Sequence, residues 1–103
     1  MSVPKLLSPA ELEARLRLFP AWAAKALDAQ DGRLERELKF ESFERAFAFL
    51  TGLALAAQRL NHHPEIFNVY TTVRLTLRTH DAGGITALDF ELAAAAEALL
   101  RAH

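Results

Sequence analysis

The segment SFERAFAFLTGLALAAQRL, residues 42–60, decides the fold because it carries the clearest helical pattern in the chain. Its apolar residues recur every three or four positions, on one face of an α-helix: Phe43, Ala46, Phe47, Leu50, Leu53, Ala57 and Leu60. A helix of about 18 residues is roughly 27 Å long, enough to lie across a whole β-sheet. We therefore predict a long helix that packs on a sheet and leads directly into the segment after it.

A helix and a β-hairpin are predicted before this segment. Residues 8–11, Ser-Pro-Ala-Glu, form a capping box that begins a helix, and Pro20 ends it. Asp31-Gly32 is a favourable hairpin turn, so residues 22–29 and 33–40 are expected to pair as antiparallel strands.

Two more strands and a last helix are predicted after the long helix. Residues 67–70 read as a short strand, and residues 72–78 alternate apolar and polar side chains as a half-buried strand does. A helix then begins at Thr86, where Asp89 completes a second capping box. The alanines at 93–96 make this helix thin, which suits close packing against another helix or another subunit.

The order α-β-β-α-β-β-α predicts an α+β fold, in which a four-stranded antiparallel sheet carries three helices packed on one face. We expect residues 1–103 to form a single domain. The apolar residue Phe67 is expected in the core.

Composition excludes several classes of partner and chemistry. The 12 basic and 13 acidic residues nearly cancel, which argues against nucleic acid or a membrane surface as a partner. Cysteine is absent, so disulfides and thiolate chemistry are excluded. The first residues lack the apolar run of a signal peptide, and no stretch approaches the ~20 apolar residues of a membrane span. We expect a cytoplasmic protein.

Three of the four histidines, His62, His63 and His80, lie in the region after the long helix. Histidine titrates nearest neutral pH, so such a cluster is where proton chemistry is expected. Pro64 restricts His63 to an extended backbone, and neighbours in an extended segment point to opposite sides. His62 and His63 should therefore have different roles.

Other interpretations of the cluster are weaker. Adjacent histidines in an extended segment rarely direct both rings at one ion, so we expect no metal site. His63 and His80 could simply be polar residues hydrogen-bonded at a loop and a strand end. Nucleophilic catalysis is disfavoured because the serines lie at helix starts or near the N-terminus. Three histidines converging on one end of a sheet favour a proton-transfer site.

The spaced pattern of His62-His63-Pro64, Tyr70, His80 and Asp89 resembles the signature of the pterin-4a-carbinolamine dehydratase family. The resemblance spans about residues 8–100 and includes further positions: Trp22, residues 40–50, residues 64–70, Thr79 and residues 84–93. It implies dehydration of 4a-hydroxytetrahydropterin to quinonoid dihydropterin and water, in tetrahydropterin recycling, without metal or cofactor. A link to an aromatic amino acid hydroxylase pathway would follow.

The resemblance also implies roles for individual residues. His62 and His80 would be the acid/base pair and His63, also at the catalytic centre, would chiefly hold the pterin. Imidazoles suit both proton transfers, each worth about 10²–10⁴ in rate. Substrate binding is expected from Trp22, Gln58, Asn61, Pro64, Tyr70, Thr79, Asp81 and Asp89. Four of these have structural alternatives: Trp22 as a hairpin anchor, Asp89 as a helix start, Tyr70 and Thr79 as strand ends.

Gln58 departs from the family pattern, which usually has an ionisable residue, often glutamate, four positions before His62. A neutral amide can hydrogen-bond an imidazole but cannot stabilise its protonated form electrostatically. We therefore expect the neighbouring histidine to protonate less readily than in a glutamate-bearing relative, with activity kept in modified degree.

Two rival functions stay open within the resemblance. One is a dimerisation cofactor, or transcriptional coactivator, that binds a transcription factor helix; the other handles a pterin in molybdenum-cofactor metabolism. Family likeness also implies a homodimer or homotetramer, which we expect to use residues 93–100 of the last helix. Sheet edges left open by four strands support an oligomer.

Overall fold

The computed structural model describes residues 4–27 and 31–102. In these residues the chain forms three α-helices and one four-stranded antiparallel sheet. The elements in chain order are α1 (Pro9–Leu16), β1 (Ala23–Lys25), β2 (Arg33–Lys39), α2 (Phe43–Leu60), β3 (Glu65–Val69), β4 (Thr72–Leu77) and α3 (Ala87–Ala102). The predicted α+β class and the α-β-β-α-β-β-α order are confirmed.

The sheet has the strand order β1-β2-β4-β3, so β2 and β4 are central and β3 is an outer edge. The register of β2 and β4 places Leu34 opposite Leu77 and Leu38 opposite Val73. These four side chains are buried in the core cluster beneath the helices. The predicted alternation along β4 is confirmed. On β2 the polar residue Arg36 is an exception, because it lies on the same face as Leu34 and Leu38 and pairs with Glu97 of α3 at 3.4 Å.

The first hairpin is shorter than predicted. The expected strand over residues 22–29 is reduced to Ala23–Lys25. Ala26 has a φ of 55°, in the left-handed region, which ends the extended backbone. Residues 28 and 29 of the prediction lie outside the described residues. The capping box at the start of α1 is confirmed: Ser8 Oγ accepts from the Glu11 backbone N–H at 3.2 Å.

The long helix α2 begins after Ser42, whose side chain accepts from the Arg45 backbone N–H. Its buried face contains Ala46, Phe49, Leu50, Leu53, Ala56 and Ala57. The prediction that Phe43 and Phe47 belong to this face is wrong, because Phe47 is 50% exposed and Phe43 nearly as much. Both lie to one side of the buried stripe, about 80° and about 120° of helix rotation from its centre. Their ring centroids are 4.9 Å apart, in an edge-to-face contact.

The last helix packs against α2 within the same protomer. Ala93 and Ala96 are buried in the core, so they are not available as the expected oligomer surface. Gly52 of α2 lies so close to α3 that a Cβ there would be 2.8 Å from Cδ2 of Leu99. The thin, alanine-rich helix therefore serves close packing on another helix, as predicted.

Phe67 lies on β3 and is not in the core, contrary to the prediction. Its ring is about half exposed on the open face of the sheet, with the Arg74 guanidinium 4.4 Å from its centre. Phe67 is opposite Arg74 in the β3–β4 register, and β3 has no neighbour on its other side in the described chain. Within residues 4–27 and 31–102, no helix is long and apolar enough to cross a bilayer.

Candidate active site

A cleft of about 250 Å³ opens where the end of α2 meets the end of β4. Its lining combines two chain segments: Asn61, His62 and His63 from the first, and Arg78, Thr79, His80 and Asp81 from the second. The predicted convergence of the three histidines is therefore confirmed, because all three border one cavity.

The end of α2 sets the direction of this segment. Asn61 adopts the left-handed conformation, with φ 50° and ψ 43°, and its N–H donates to the carbonyls of Ala57 and Gln58. The His62 N–H donates to the Ala57 carbonyl at 3.0 Å. Such a left-handed residue is a common way to end a helix. Asn61, predicted as a substrate-binding residue, thus turns the chain and also borders the cleft.

His62 is buried, at 9% exposure, and its Nε2 lies 2.6 Å from Oδ1 of Asp89. An ionised carboxylate can only accept hydrogen bonds, so Nε2 of a neutral His62 carries the ring hydrogen. This leaves Nδ1 as the nitrogen that can take up a proton. A carboxylate that holds an imidazole in one tautomer also stabilises the imidazolium formed when that proton arrives.

Asp89 is fully buried and accepts two further hydrogen bonds through Oδ2. The Thr79 hydroxyl donates at 3.0 Å and the Thr86 backbone N–H at 2.8 Å. Because Thr79 uses its hydrogen on Asp89, the Thr86 hydroxyl must donate to Thr79 across their 2.7 Å contact. Thr86 Oγ1 in turn accepts from the Leu88 N–H.

Both roles weighed for Asp89 are therefore present in one carboxylate. Oδ2 bonds to the backbone at the start of α3, and Oδ1 holds His62. The other half of the predicted capping box differs, since Thr86 Oγ1 accepts from the Leu88 N–H and not from that of Asp89. Thr79 also has two roles. It lies at the strand end, and it borders the cleft while its hydroxyl donates a hydrogen bond to Asp89.

His63 points to the other side of the chain, as predicted from the extended backbone before Pro64. Its ring is exposed, and Nε2 lies 3.1 Å from Oε1 of Gln58, one turn back on α2. The amide oxygen accepts, so Nε2 carries the hydrogen in this contact. Pro64 itself does not line the cleft.

His80 and Asp81 lie on a single 3₁₀ turn, His80–Ala82, at the mouth of the cleft. The turn is closed by the Thr79 N–H, which donates to the Gly84 carbonyl at 2.8 Å. Gly83 ends the turn with φ 79°, a conformation that a side chain would strain. Both side chains are exposed to the cavity, where they can reach a ligand.

Arg78 is a cleft residue that the sequence patterns missed. Its Nη1 lies 2.6 Å from Asp31 and its Nε 3.0 Å from Glu65, so two carboxylates hold the guanidinium. The Nε is not aligned for a hydrogen bond with Glu65, and this second contact is an ion pair only. In the sequence, Arg78 looks like any polar residue on the outward face of a strand. The one sign that it belongs to the site is that it directly precedes Thr79 and His80.

Two expected binding residues lie elsewhere in the protomer. Trp22 is buried in the core, and its indole Nε1 donates to Oε2 of Glu97 at 3.2 Å, beside Arg36. This matches the structural alternative of an anchor at the hairpin. Tyr70 is 68% exposed and lies beyond the far end of β3 from His63. Neither residue lines the cleft.

Similarity to known proteins shows which family the chain is related to. The profile of the family described as pterin 4 alpha carbinolamine dehydratase matches residues 5–99. A relative from Solibacter usitatus, named for this activity, is 50% identical over 93 residues, covering 90% of this chain and 93% of its own. A similarly named relative from Rhizobium johnstonii is 51% identical over 86 residues, or 84% of this chain and 82% of its own. These names assign a family and not a measured activity.

Two solved structures share the fold. The transcriptional coactivator/pterin dehydratase from Brucella melitensis has a TM-score of 0.84 at 36% identity, covering 90% of this chain and 96% of that one. A pterin dehydratase-like protein described as a RuBisCO assembly factor in the alpha-carboxysome has a TM-score of 0.65 at 25% identity, covering 77% and 88%. From the profile match and the identities of its relatives, the chain belongs to the pterin-4a-carbinolamine dehydratase family.

Proposed function

We propose that the protein dehydrates a 4a-hydroxytetrahydropterin to quinonoid dihydropterin and water. The observation that carries this proposal is the shared cleft of three histidines, one of which is backed by the buried carboxylate of Asp89. Family membership supports the substrate class. An arrangement of imidazoles around one cavity is suited to moving two protons on one ligand.

The reaction requires two proton transfers. The C4a–O bond breaks and its electrons leave with the oxygen, which must take a proton to depart as water. The N5 lone pair forms the C4a=N5 double bond, and N5 gives up its proton. One group must donate and another must accept, so two imidazoles in opposite protonation states meet the need.

We assign the acceptor role to His62 and the donor role to His80. A neutral His62 with its Nε2 hydrogen on Asp89 has Nδ1 free to take the N5 proton, and Asp89 then stabilises the imidazolium. His80 is exposed at the mouth, where solvent can return the proton it gives to the leaving oxygen. The two histidines regain their starting states through exchange with water.

Binding of the pterin falls to the rest of the lining. We assign His63, oriented by Gln58, to hold the flat ring. The Asn61 amide and the Asp81 carboxylate are hydrogen-bonding groups suited to the polar edge of a pterin. Supply of the substrate requires a reaction that hydroxylates the pterin at C4a, and an aromatic amino acid hydroxylase pathway is the partner we propose.

The test is a direct assay of 4a-carbinolamine dehydration with the purified protein. We expect catalysis well above the spontaneous rate, and its loss in the double variant His62→Ala, His80→Ala. Glu44→Gln, on the exposed first turn of α2, is a control that should keep the native rate. A native protein that does not exceed the spontaneous rate, or a double variant as active as the native one, would refute the proposal.

A second candidate function is a binding role in which the chain acts as a coactivator for a transcription factor helix. The observation that favours it is the row of exposed apolar side chains on α2, formed by Phe43, Phe47 and Leu55. The Brucella melitensis neighbour is described as a coactivator as well as a dehydratase. The two functions separate by mutation, since His62→Ala with His80→Ala removes dehydration and leaves the helix face intact.

A further inference from the structure

Thr86 is a fully buried residue to which the proposed mechanism gives no role. It does not border the cleft, yet two of its groups are directed at the residues that hold the proposed base. Its backbone N–H donates to Oδ2 of Asp89 at 2.8 Å, and its hydroxyl oxygen lies 2.7 Å from that of Thr79. One residue therefore reaches the Asp89 carboxylate both directly and through a second hydroxyl.

The hydroxyl of Thr86 is the first of two that donate in series towards Asp89. A hydroxyl has one hydrogen to donate and can accept at the same time. Thr86 Oγ1 accepts from the Leu88 N–H at 3.2 Å and donates to Thr79. The Thr79 hydrogen then goes to Oδ2 of Asp89 at 3.0 Å. Hydrogen bonds in such a chain polarise one another, so the bond from Thr79 to Asp89 is stronger when Thr86 donates to Thr79.

Thr79 needs this partner because it borders the cleft. Solvent in the cleft offers its hydroxyl other hydrogen bonds, and a side chain turned towards that solvent would leave Asp89. The Thr86 hydroxyl is a buried donor that has Thr79 as its acceptor only when the Thr79 hydroxyl points inward. Since a buried donor without an acceptor is costly, Thr86 favours the inward position.

Capping of α3 does not explain the whole arrangement. Thr86 directly precedes α3, and a side-chain oxygen that accepts from the Leu88 N–H is what an N-cap residue supplies. A cap needs only to accept, whereas this hydroxyl also donates to Thr79 in a different segment. Aspartate caps helices as well, but it has no hydrogen to donate and would set a second carboxylate beside Asp89. The position therefore requires a hydroxyl.

We propose that Thr86 is a positioning residue for the base His62. Its hydroxyl holds the Thr79 hydroxyl on Asp89, and Asp89 in turn keeps the hydrogen of His62 on Nε2 and leaves Nδ1 able to take up a proton. The effect on catalysis rests on the proposed dehydratase function. The hydrogen-bond chain is a property of the folded protein and can be measured without substrate.

The backbone around Thr86 is held independently of its side chain. In the segment before α1, the Leu7 N–H donates to the Ile85 carbonyl at 3.1 Å, and Leu6 forms a β-bridge with Thr86 itself. The variant Thr86→Val should therefore keep the backbone bond to Asp89 and lose only the hydroxyl. Thr86→Ser, which keeps the hydroxyl and loses a methyl group, is the conservative partner.

The first test is the NMR signal of the His62 ring hydrogen. The native protein should show a protected hydrogen on Nε2, because this atom lies 2.6 Å from Oδ1 of Asp89. In Thr86→Val this hydrogen should exchange with solvent about 3- to 10-fold faster, the factor that one hydrogen bond is typically worth. Thr86→Ser should stay within twofold of the native rate. A native hydrogen on Nδ1, or unchanged exchange in Thr86→Val, would overturn the proposal.

Ser42→Ala is the control for the loss of a helix cap. Ser42 caps α2 by accepting from the Arg45 N–H, and the 18 residues of that helix separate it from His62 by roughly 27 Å. This variant should leave both the exchange of the His62 hydrogen and kcat unchanged. An effect as large as that of Thr86→Val would mean that Thr86 acts only through helix stability, and the positioning role would be refuted.

The second test is a double-mutant cycle with Thr79, measured by carbinolamine dehydration. Thr86→Val should lower kcat by about 3- to 10-fold. KM should stay within twofold, because Thr86 does not border the cleft. In a Thr79→Val background the same substitution should have little further effect on kcat, since the chain to Asp89 is already broken. An equal loss in both backgrounds is what a cap alone would give, and it would contradict the proposal.

The two tests separate this proposal from the proposed function. If the native protein fails to dehydrate the pterin, the proposed function is refuted, and exchange of the His62 hydrogen still decides whether Thr86 holds the chain. If Thr86→Val does not fold, Thr86→Ala removes the same hydroxyl and is judged by the same exchange rate. Faster exchange in an active Thr86→Val variant with native kcat would show that the chain does not position the base, which also overturns the proposal.

Discussion

The imidazole of His62 and the carboxylate of Asp89 are 27 residues apart in the chain and 2.6 Å apart in the structure, from Nε2 to Oδ1. The contact joins the C-terminal end of α2 to the first turn of α3. Since the two helices pack on each other, the packing that stabilises the fold also fixes the orientation of the proposed base. Among substitutions in this pair, those that preserve the shape of the side chain therefore separate catalysis from folding most cleanly.

Asp89→Asn preserves the shape and should lower kcat by about 10²-fold or more. An amide can donate where the carboxylate accepts, so it favours the wrong tautomer of His62 and cannot stabilise the imidazolium. Steady-state kinetics of carbinolamine dehydration measure the effect, with urea unfolding to show that the variant is folded. Glu91→Gln, an exposed carboxylate on the same helix, is the matched control with unchanged kcat. A folded Asp89→Asn variant with native kcat would exclude Asp89 from catalysis.

Gln58→Glu should raise the pH at which His63 titrates. The native amide accepts a hydrogen bond from Nε2 at 3.1 Å, and a carboxylate in the same place would also attract the protonated ring. NMR titration of the imidazole signals in both proteins measures the midpoint. His62, which faces Asp89, should move much less and serves as an internal reference. A His63 midpoint that stays in place, or moves down, would contradict the assigned contact.

The fold follows from local sequence to a large extent because its elements have separate signals. The capping box at Ser8 and the alternation along β4 are each decided by residues close in sequence, and both are confirmed. The misplacements of Phe43 and Phe47 have one cause: periodicity identifies a helix, but only the position of the sheet decides which stripe is buried. Phe49, which lies on the same helix but was not in the predicted stripe, is fully buried in the core.

The sequence was enough to predict that the three histidines lie together, but not the hydrogen bonds that connect the site to the residues behind it. The histidine spacing and the family resemblance identify most of the residues that border the cleft, but they also include Trp22 and Tyr70, which lie elsewhere, and they miss Arg78. The link of Thr79 and Thr86 to Asp89, by contrast, depends on the Thr79–Gly84 bridge, which brings the strand end and the helix start together. Arg78 borders the cleft and forms an ion pair with Asp31, a residue distant in sequence. Such contacts require the tertiary arrangement.

Glu11 should give the protein a stability that is lost in acid. Hydrogen bonds from the backbone N–H of Ser8, and then from its side chain, lower the pKa of this carboxyl below its ordinary value of 4.5. A folded-state pKa below the unfolded one stabilises the protein above the unfolded value, and the contribution disappears as the pH falls through the folded value. Urea unfolding between about pH 5 and pH 3 should show a shallower decline in Glu11→Gln than in the native protein. Identical slopes would mean that the capping box does not respond to pH.

The effect of Gly52→Ala on the free energy of unfolding should change sign when Leu99, its neighbour on α3, is truncated. In a helix interior alanine is favoured over glycine by about 1 kcal/mol. Here the new methyl would lie 2.8 Å from Cδ2 of Leu99, and overpacking of this kind costs about 1–3 kcal/mol. We expect a small net destabilisation in the native background, because the clash is with the flexible end of a side chain.

In a Leu99→Ala background the new methyl group of Gly52→Ala meets no clash, because alanine lacks the Cδ2 atom. There the substitution should stabilise the protein by about 1 kcal/mol. The four proteins form a double-mutant cycle, measured by urea unfolding, with an expected coupling of about 1–2 kcal/mol between the two positions. An equal effect of Gly52→Ala in both backgrounds would mean that α2 and α3 can separate freely. The orientation of His62 by Asp89 would then need another support, because those two residues lie on, or directly beside, the same two helices.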